Sequence, residues 1–480
     1  MQPSMFNVRV PLEDQNEVFL MNTFTDAQLI VSTDVAALLD ELEQRGTGGW
    51  TSEERDAIGT LSEHGFIVES RDADRDNLRA FFHEVRESTE QLRMTVLTTL
   101  QCNFACDYCI QGDHGEYNKH AAKMSLETAA RVGDWAEQRL EALRPESYVL
   151  TFFGGEPLLN LPVMYYLAER MWQVCETRGV RMLVNIITNG LLLTPEIVDR
   201  LNAFGLNGIK ITLDGDRDTH NKMRPLRGGQ GTFDKIVHNV RQVAHKTRIA
   251  IGGNFDMETA DSYPALLDFL KEQDFADKLS KVAFKPIIRE RKEQPAAVAS
   301  PVKGAKFIAL TAVADKPLGG ACMTSAGAAV GSTSGCDSCH QLDDQMAFLR
   351  EETKKRGFPT IDGVHMGPCE IHRSHAHTIS PDGSLYACPG FAGDATQSVG
   401  HIDGRREPAR AHAASRFDAL SAWQECRDCS FIPVCAGGCT VAAYNELGSI
   451  DKPNCHKTAI QAGMVSLARQ AAAERTATVN

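Results

Sequence analysis

The sequence predicts an α/β protein: a parallel partial barrel of six βα units, preceded by a small α+β segment and followed by a cysteine-rich one. Three observations carry this reading. From residue 94 to residue 287, short apolar runs rich in β-branched residues alternate with stretches of helical periodicity. Glycines and polar residues gather directly after those runs, at the strand ends where parallel α/β sheets carry their sites. The cysteines, lone Cys175 apart, are grouped after the first strand, in the middle of the chain and in its last quarter.

The bulk numbers bound the rest. With 480 residues, 42% hydrophobic and 24% charged, the chain can bury several cores and fits two to four domains. It has no run of about 20 apolar residues, and residues 1–11 lack a basic stretch followed by an apolar one. A cytoplasmic protein with no membrane partner is the expectation. A formal net charge of −13 argues against nucleic acid as a partner. Fourteen cysteines, bunched as these are, do not make a disulfide scaffold in so long a chain; such clusters more often bind metal.

Residues 1–92 read as one unit. Strands are expected at 6–10, 17–22 and 28–31. An amphipathic helix follows at 34–43, with Val35, Leu38, Leu39 and Leu42 on one face. Thr51, followed by Ser52, Glu53 and Glu54, opens a second helix that ends at Gly65, before a strand at 66–69. The charged stretch 72–93 reads as a linking helix. The six barrel strands are expected at 94–100, 148–153, 182–188, 208–213, 248–254 and 282–287, within a domain at 93–290. Ser125 opens the first intervening helix, with Leu126, Ala129, Ala136, Leu140 and Leu143 inward. The second carries Met164, Leu167, Met171 and a buried, structural Cys175. Thr194 and Pro195 start the third, and Thr232 leads the fourth through Ile236, Val240 and Val243.

The chemistry is concentrated at 98–109. Cys102, Cys106 and Cys109 stand in a C-x3-C-x2-C spacing straight after the first strand. Three such thiolates can hold three corners of a cubic iron–sulfur cluster and leave the fourth iron open; a structural zinc is the plainer alternative. After strand two comes Gly154-Gly155-Glu156, where glycines admit a ligand to the backbone and the carboxylate can accept from an ammonium. Strand three ends in Thr188-Asn189-Gly190 and strand four in Thr212-Leu213-Asp214-Gly215, with Arg224 and Asn254 further on.

Residues 291–362 break the rhythm and hold Cys322, Cys336 and Cys339. These are free thiols, a small metal clip or the source of a cluster ligand. Beyond them, Cys369, Gly383 and Cys388 are followed by Cys426-x2-Cys429-x5-Cys435-x3-Cys439 and then Cys455, within a domain at 363–460. Pro381-Asp382-Gly383 suits a hairpin turn. His372, His375 and His377 read as surface histidines in hydrogen bonds, with metal binding as the alternative. A helix and tail close the chain at 461–480.

Two resemblances follow from these motifs. The three-cysteine spacing with Tyr108 before the third thiol, and the GGE triplet, resemble the radical S-adenosylmethionine (radical SAM) superfamily, whose usual core is a TIM-like partial (β/α)6 barrel. The seven C-terminal cysteines resemble the SPASM domain of its peptide maturases. The resemblance implies three 4Fe–4S clusters. Cys102, Cys106 and Cys109 would hold the one that binds SAM. Cys426, Cys429, Cys435 and Cys455 would hold a distal auxiliary cluster, and Cys369, Cys388 and Cys439 a proximal one. The family's eighth cysteine has no counterpart at 363–368, so the proximal cluster keeps an open iron or takes a ligand from Cys322, Cys336, Cys339 or a nearby histidine. Gly154, Gly155 and Glu156 would hold the amino group of SAM, Asn189, Thr212 and Asp214 its ribose or methionyl part, and Arg224 its carboxylate; Tyr108 and Asn254 complete the set.

Family likeness further implies reductive cleavage of SAM to a 5′-deoxyadenosyl radical, with flavodoxin or ferredoxin as reductant. Residues 1–92 resemble the winged-helix-like element that captures a precursor peptide at a sheet edge; a simple packing cap is the alternative. The implied activity is a thioether or carbon–carbon crosslink in a ribosomally made peptide. Oxidation of Cys or Ser to formylglycine, as by sulfatase maturases, is the rival, although Pro389 stands where those enzymes have Asp. A SPASM-type dehydrogenase of small molecules, or a protein that only carries electrons or binds zinc, are the remaining alternatives.

Overall fold

The structure, a computed structural model, describes residues 1–12, 16–45, 48–109, 121–288, 337–361, 364, 367–405, 417–418 and 420–479. Cys322, Cys336 and the Cys339 side chain lie outside the described residues.

The chain opens with β1 (Gln2–Pro3) and an antiparallel meander, β2 (Asn7–Leu12), β3 (Glu17–Asn22) and β4 (Gln28–Ser32). Helices follow at Thr33–Arg45 and Ser52–Glu63, and then β5 (Ile67–Val68) pairs with β1. Thr51 and Glu54 form a reciprocal cap at the start of the second helix: Glu54 N–H donates to Thr51 Oγ1 at 3.2 Å, and Thr51 N–H to Glu54 Oε2 at 2.7 Å. Central β3 is apolar on both faces because both are covered. Val18 and Leu20 meet Leu39, Leu42, Leu61 and Phe66; Phe19 and Met21 meet Phe431, Val434, Ile460 and Met464. The N-terminal unit is therefore packed into the C-terminal cysteine-rich segment, and Arg75 reaches Asp428 at 2.8 Å across the same seam.

Helix Arg71–Glu87 stops short of the expected linker's end, because Gln91 already begins the barrel. Its six parallel strands lie side by side in chain order: β6 (Gln91–Thr99), β7 (Ser147–Gly154), β8 (Arg181–Thr188), β9 (Leu206–Thr212), β10 (Ile249–Phe255) and β11 (Leu279–Pro286). The four expected helices are present at Leu126–Leu143, Leu161–Arg178, Pro195–Asn202 and Phe233–Val243, joined by Arg217–Met223 and Tyr263–Lys271. Cys175 is buried in this core, as expected. Leu126 is not; as the first residue of its helix it lies outside the packed stripe and is 53% exposed.

The C-terminal segment is welded to the barrel by backbone. β12 (Ala376–Ile379) pairs in parallel with β6, from Ala376 opposite Arg93 to Ile379 opposite Val96. β13 (Ser384–Tyr386) and β14 (Gly400–His401) extend the same sheet to nine strands. The β12–β13 turn is the expected one. Gly383 has φ +90°, and Asp382 accepts from Ser384 N–H at 2.9 Å. Helix Lys457–Val479 closes the chain and contributes Ile460 and Met464 to the shared N- and C-terminal core.

Candidate functional site

The motifs that follow the barrel strands meet at the barrel's C-terminal mouth. As β6 ends, its backbone runs against the exit of β7: Gly155 N–H donates to Thr99 O at 2.9 Å and Glu156 N–H to Gln101 O at 2.8 Å. A Cβ on Gly154, which has φ +135°, would lie 2.2 Å from Thr99 O, and one on Gly155 would lie 2.2 Å from Gln101 O. On that side the glycines admit the thiol loop's own backbone. Phe104 anchors the loop, buried and bridged to Leu226, while Ala105 N–H donates to Pro225 O at 2.9 Å.

Glu156 is fully buried and joins three strand ends. Its Oε1 accepts from Thr188 Oγ1 at 2.7 Å and Leu158 N–H at 3.0 Å; its Oε2 accepts from Asn189 N–H at 2.8 Å. Burial pushes its pKa up, opposed by these donors. A carboxylate has about four lone-pair positions, so one is left for a further donor. Asn189 in turn passes its Nδ2 to Asn103 Oδ1 at 2.7 Å and lies 3.8 Å from Cys102 Sγ.

Tyr108, Asp214, Arg224 and Asn254, four residues singled out separately, form one polar network. Tyr108 OH donates to Asp214 Oδ2 and accepts from Arg224 NH1 at 2.6 Å. Asp214 Oδ1 accepts from Asn254 N–H at 2.6 Å and Nδ2 at 3.3 Å. Asp214 N–H donates to His220 Nδ1 at 3.1 Å, which fixes that ring as the neutral Nε2–H tautomer. Nε2 then meets Thr232 Oγ1 at 3.0 Å, and Thr232 donates to Arg224 O at 2.8 Å. Burial keeps the Tyr108 phenol protonated and drives the His220 pKa well down. The Arg224 guanidinium lies 5.5 Å from the Phe104 ring, and its buried Nε–H has no partner among the described residues. Thr212 is half-buried at the end of β9.

Burial raises the Cys102 thiol to about 12 and Cys106 to about 11; each also feels the other sulfurs of its loop or the nearby carboxylates. Such thiols ionise only against strong positive charge, as when bound to iron. The C-terminal thiols sort into two sets by mutual influence. Cys426, raised to about 12 by burial, is pushed further by Cys435, Cys429 and Cys455. Cys388, also at about 12 by burial, feels Cys369 and Cys439. Among the described residues no three His, Cys, Asp or Glu side chains gather tightly enough to hold a single metal ion.

Two of the three histidines depart from expectation, while half-buried His375 meets Arg139 NH2 through Nδ1 at 3.3 Å. His372 is 2% exposed with neither ring nitrogen partnered, and it packs edge-on to Trp423 at 5.3 Å. His377 points from β12 at Trp135, 5.1 Å away, with Nε2 unpartnered. They make ring contacts rather than surface hydrogen bonds: the Glu370–His372 turn buries His372 against Trp423, and the pairing of β12 with β6 sets half-buried His377 against Trp135 of helix Leu126–Leu143. Two residues of this site are absent from the sequence expectations, His220 and Tyr263, the latter bracing Asn254 O at 2.7 Å; Thr232 is expected only as the start of a helix. No spacing pattern flags them.

Fold and site together define a class: a partial α/β barrel with a three-thiol loop at its mouth. Residues 96–270 match the Radical SAM superfamily, and the chain carries that enzyme domain. It is 26% identical over 234 residues to Fe-coproporphyrin III synthase of Methanosarcina barkeri, covering 47% of this chain and 53% of that protein; the chain thus spans about half that relative's length. The Cysteine-type anaerobic sulfatase-maturating enzyme of Clostridium novyi is 24% identical over 353 residues, covering 70% of this chain and 84% of that one. The solved structure of native anSMEcpe with bound AdoMet and Cp18Cys peptide shares the fold, with a TM-score of 0.56 at 15% identity over 80% of this chain and 99% of that one.

Proposed function

We propose that the protein is a radical SAM peptide maturase. It installs a thioether or carbon–carbon crosslink in a ribosomally made precursor peptide. The observation that carries the SAM-dependent part is the convergence, at one barrel mouth, of the Cys102–Cys106–Cys109 loop, the Glu156 brace and the Tyr108–Asp214–Arg224 network. The residues suit the implied groups: a thiol trio for a cluster, one open lone pair on Glu156 for an ammonium, and a buried, unpartnered Arg224 Nε–H for a carboxylate. When bound, cluster and SAM together supply a one-electron cleavage of the sulfonium and so a carbon radical that takes hydrogen from an unactivated C–H bond.

The protein's own part is to orient and to shield. Glu156 and Asn189 fix the strand ends beside Cys102. Tyr108 and Asp214 hold Arg224 in place and leave its Nε free. Cys426, Cys429, Cys435 and Cys455 would hold the distal auxiliary 4Fe–4S cluster, and Cys369, Cys388 and Cys439 three corners of the proximal one. Gly154, Gly155, Thr212 and Asn254 complete the SAM contacts, and a flavodoxin or ferredoxin is the reductant. No helix among the described residues is long and apolar enough to cross a membrane. The outer edge of the β2–β4 meander suits capture of an extended precursor peptide.

A second reading, oxidation of Cys or Ser to formylglycine, is favoured by the 84% coverage of the Clostridium novyi sulfatase-maturating enzyme. Pro389, directly after Cys388, weighs against it. Anaerobic reconstitution to about twelve irons per chain, followed by reduction with SAM, should release 5′-deoxyadenosine, and replacing Cys102, Cys106 and Cys109 by Ala should abolish it. Mass spectrometry of a peptide encoded beside this protein and co-expressed with it distinguishes a crosslink from an aldehyde. Absence of 5′-deoxyadenosine rejects both readings.

A further inference from the structure

Strand alternation puts three lysines inside the barrel. On β9 and β11, Ile209, Ile211 and Val282 are buried against the helices, so Lys210, Lys281 and Lys285, which alternate with them, take the inward face, where each stays exposed to the open lumen. Register fixes their heights. Lys210 and Lys281 flank Ala250 in one row, with backbones roughly 10 Å apart. Lys285 lies opposite Asn254, in the row of the Tyr108–Asp214 network. Small residues make room: Lys210 crosses Gly252, where a Cβ would lie 2.7 Å from Lys210 Cε, and Ala250 and Ala283 line the same face.

These cations are uncompensated. Beyond their strand ladders, none of the three has a side-chain hydrogen bond or ion pair among the described residues, in a chain whose net charge is −13. No inward position on β7 to β11 carries a carboxylate, and Asp214, above β9, is already engaged by Tyr108, Arg224 and Asn254. The lysines face one another: burial brings Lys210 down to about 8, helped first by Lys285 and then by Lys281. Lys285, paired with Asn254, brings the chamber up to the Tyr108–Asp214 network beside the Cys102 loop.

We propose that Lys210, Lys281 and Lys285 form a carboxylate-binding chamber that seats an acidic side chain of the substrate peptide beside the residue to be modified. The proposal deepens the maturase reading and rests on it. A carboxylate entering the open lumen relieves the repulsion among three ammonium groups and gains charge-assisted hydrogen bonds to them.

The test uses the reconstituted holoenzyme loaded with SAM and three nine-residue probes of Gly and Ala. The first two are acetylated and amidated, with a central Glu in one and a central Gln in the other. The third lacks both and keeps a free terminal carboxylate. Calorimetry should show the Glu probe bound at least about tenfold more tightly than the Gln probe. The double variant Lys210→Met, Lys285→Met should bring the two within about twofold, while Lys210→Arg should keep the preference. Tighter binding of the third probe assigns the chamber to a chain end instead of a side chain and overturns the side-chain form. Equal binding, no binding, or a preference that survives the double variant overturns the chamber. Release of 5′-deoxyadenosine by the same wild-type sample separates the two failures: if it occurs without a Glu preference, only the chamber is wrong.

Discussion

Tyr108, one residue before Cys109, donates to Asp214 and accepts from Arg224, so the thiol loop and the barrel's fourth strand end share one buried ion pair. Asp214 is the charge that balances Arg224. Asp214→Asn keeps the shape but leaves the guanidinium uncompensated in a buried setting. Unfolding free energy should fall by about 2–3 kcal/mol, and SAM affinity of the reconstituted protein by about tenfold. Chemical denaturation and equilibrium dialysis with labelled SAM measure the two. An undiminished SAM affinity would uncouple this network from the cosubstrate.

Gly155 faces Gln101 O across a gap that no Cβ can enter at 2.2 Å. Gly155→Ala must therefore push the thiol loop away from β7, and under the proposed function it would spoil the first cluster while any clusters on the C-terminal thiols, far along the chain, would stay. With the proposed three clusters, iron content should drop by about four per chain, from about twelve to about eight. Full iron loading in the variant would mean that the loop has slack the structure does not show.

How much of this was legible beforehand follows the range of the forces involved. The thiol loop, the GGE triplet and the Pro381–Gly383 turn are local patterns, readable because their chemistry depends on neighbours a few residues away. The four-residue network was legible only as separate residues; its unity depends on contacts across 106 to 146 positions. His220 is not legible because a buried histidine has no spacing signature, and Thr232 is legible only as a helix start, not as the partner of His220. The β12–β6 pairing was hidden for the same reason. Strand partners 283 residues apart, such as His377 and Met94, leave no periodicity, and so nothing local marks His377 as a ring packed against the barrel.

Under the proposed cluster assignment, thiols held up at about 11 to 12 by burial would set the pH dependence of iron uptake. At neutral pH each must lose a proton as it binds iron, so loading releases protons and strengthens as pH rises. Reconstitution under limiting iron should be more complete at pH 8.5 than at pH 6.5, with close to one proton released per ligating thiol in lightly buffered solution. Loading that is flat across this range would mean the thiols are already ionised in the metal-free protein. The metal-free fold has its own dependence. Its thiol pKa values exceed the unfolded value of 9.0, so stability is fully present below pH 9 and falls as pH rises from there toward 12.

His377 ties the β12–β13 hairpin to the barrel through its ring contact with Trp135, and burial, with Arg139 nearby, depresses its pKa to about 3. Arg139 and His375 are the charged or titratable groups that act on it. Unfolded, the imidazole titrates near 6.5, so above that pH both states are neutral and no linkage exists. As pH falls from 6.5 toward 3, the unfolded chain binds a proton that the folded one refuses, and stability declines by up to about 1.4 kcal/mol per pH unit. His377→Phe keeps an aromatic edge against Trp135 and removes the proton. Between pH 7 and pH 5 the variant should lose about 2 kcal/mol less unfolding free energy than the wild type, measured by denaturant titration at the two values. His372 and His375, also depressed by burial, keep a residual slope in both proteins. Equal losses in variant and wild type would mean that water or a partner group reaches the His377 ring and that the hairpin is not sealed onto the barrel there.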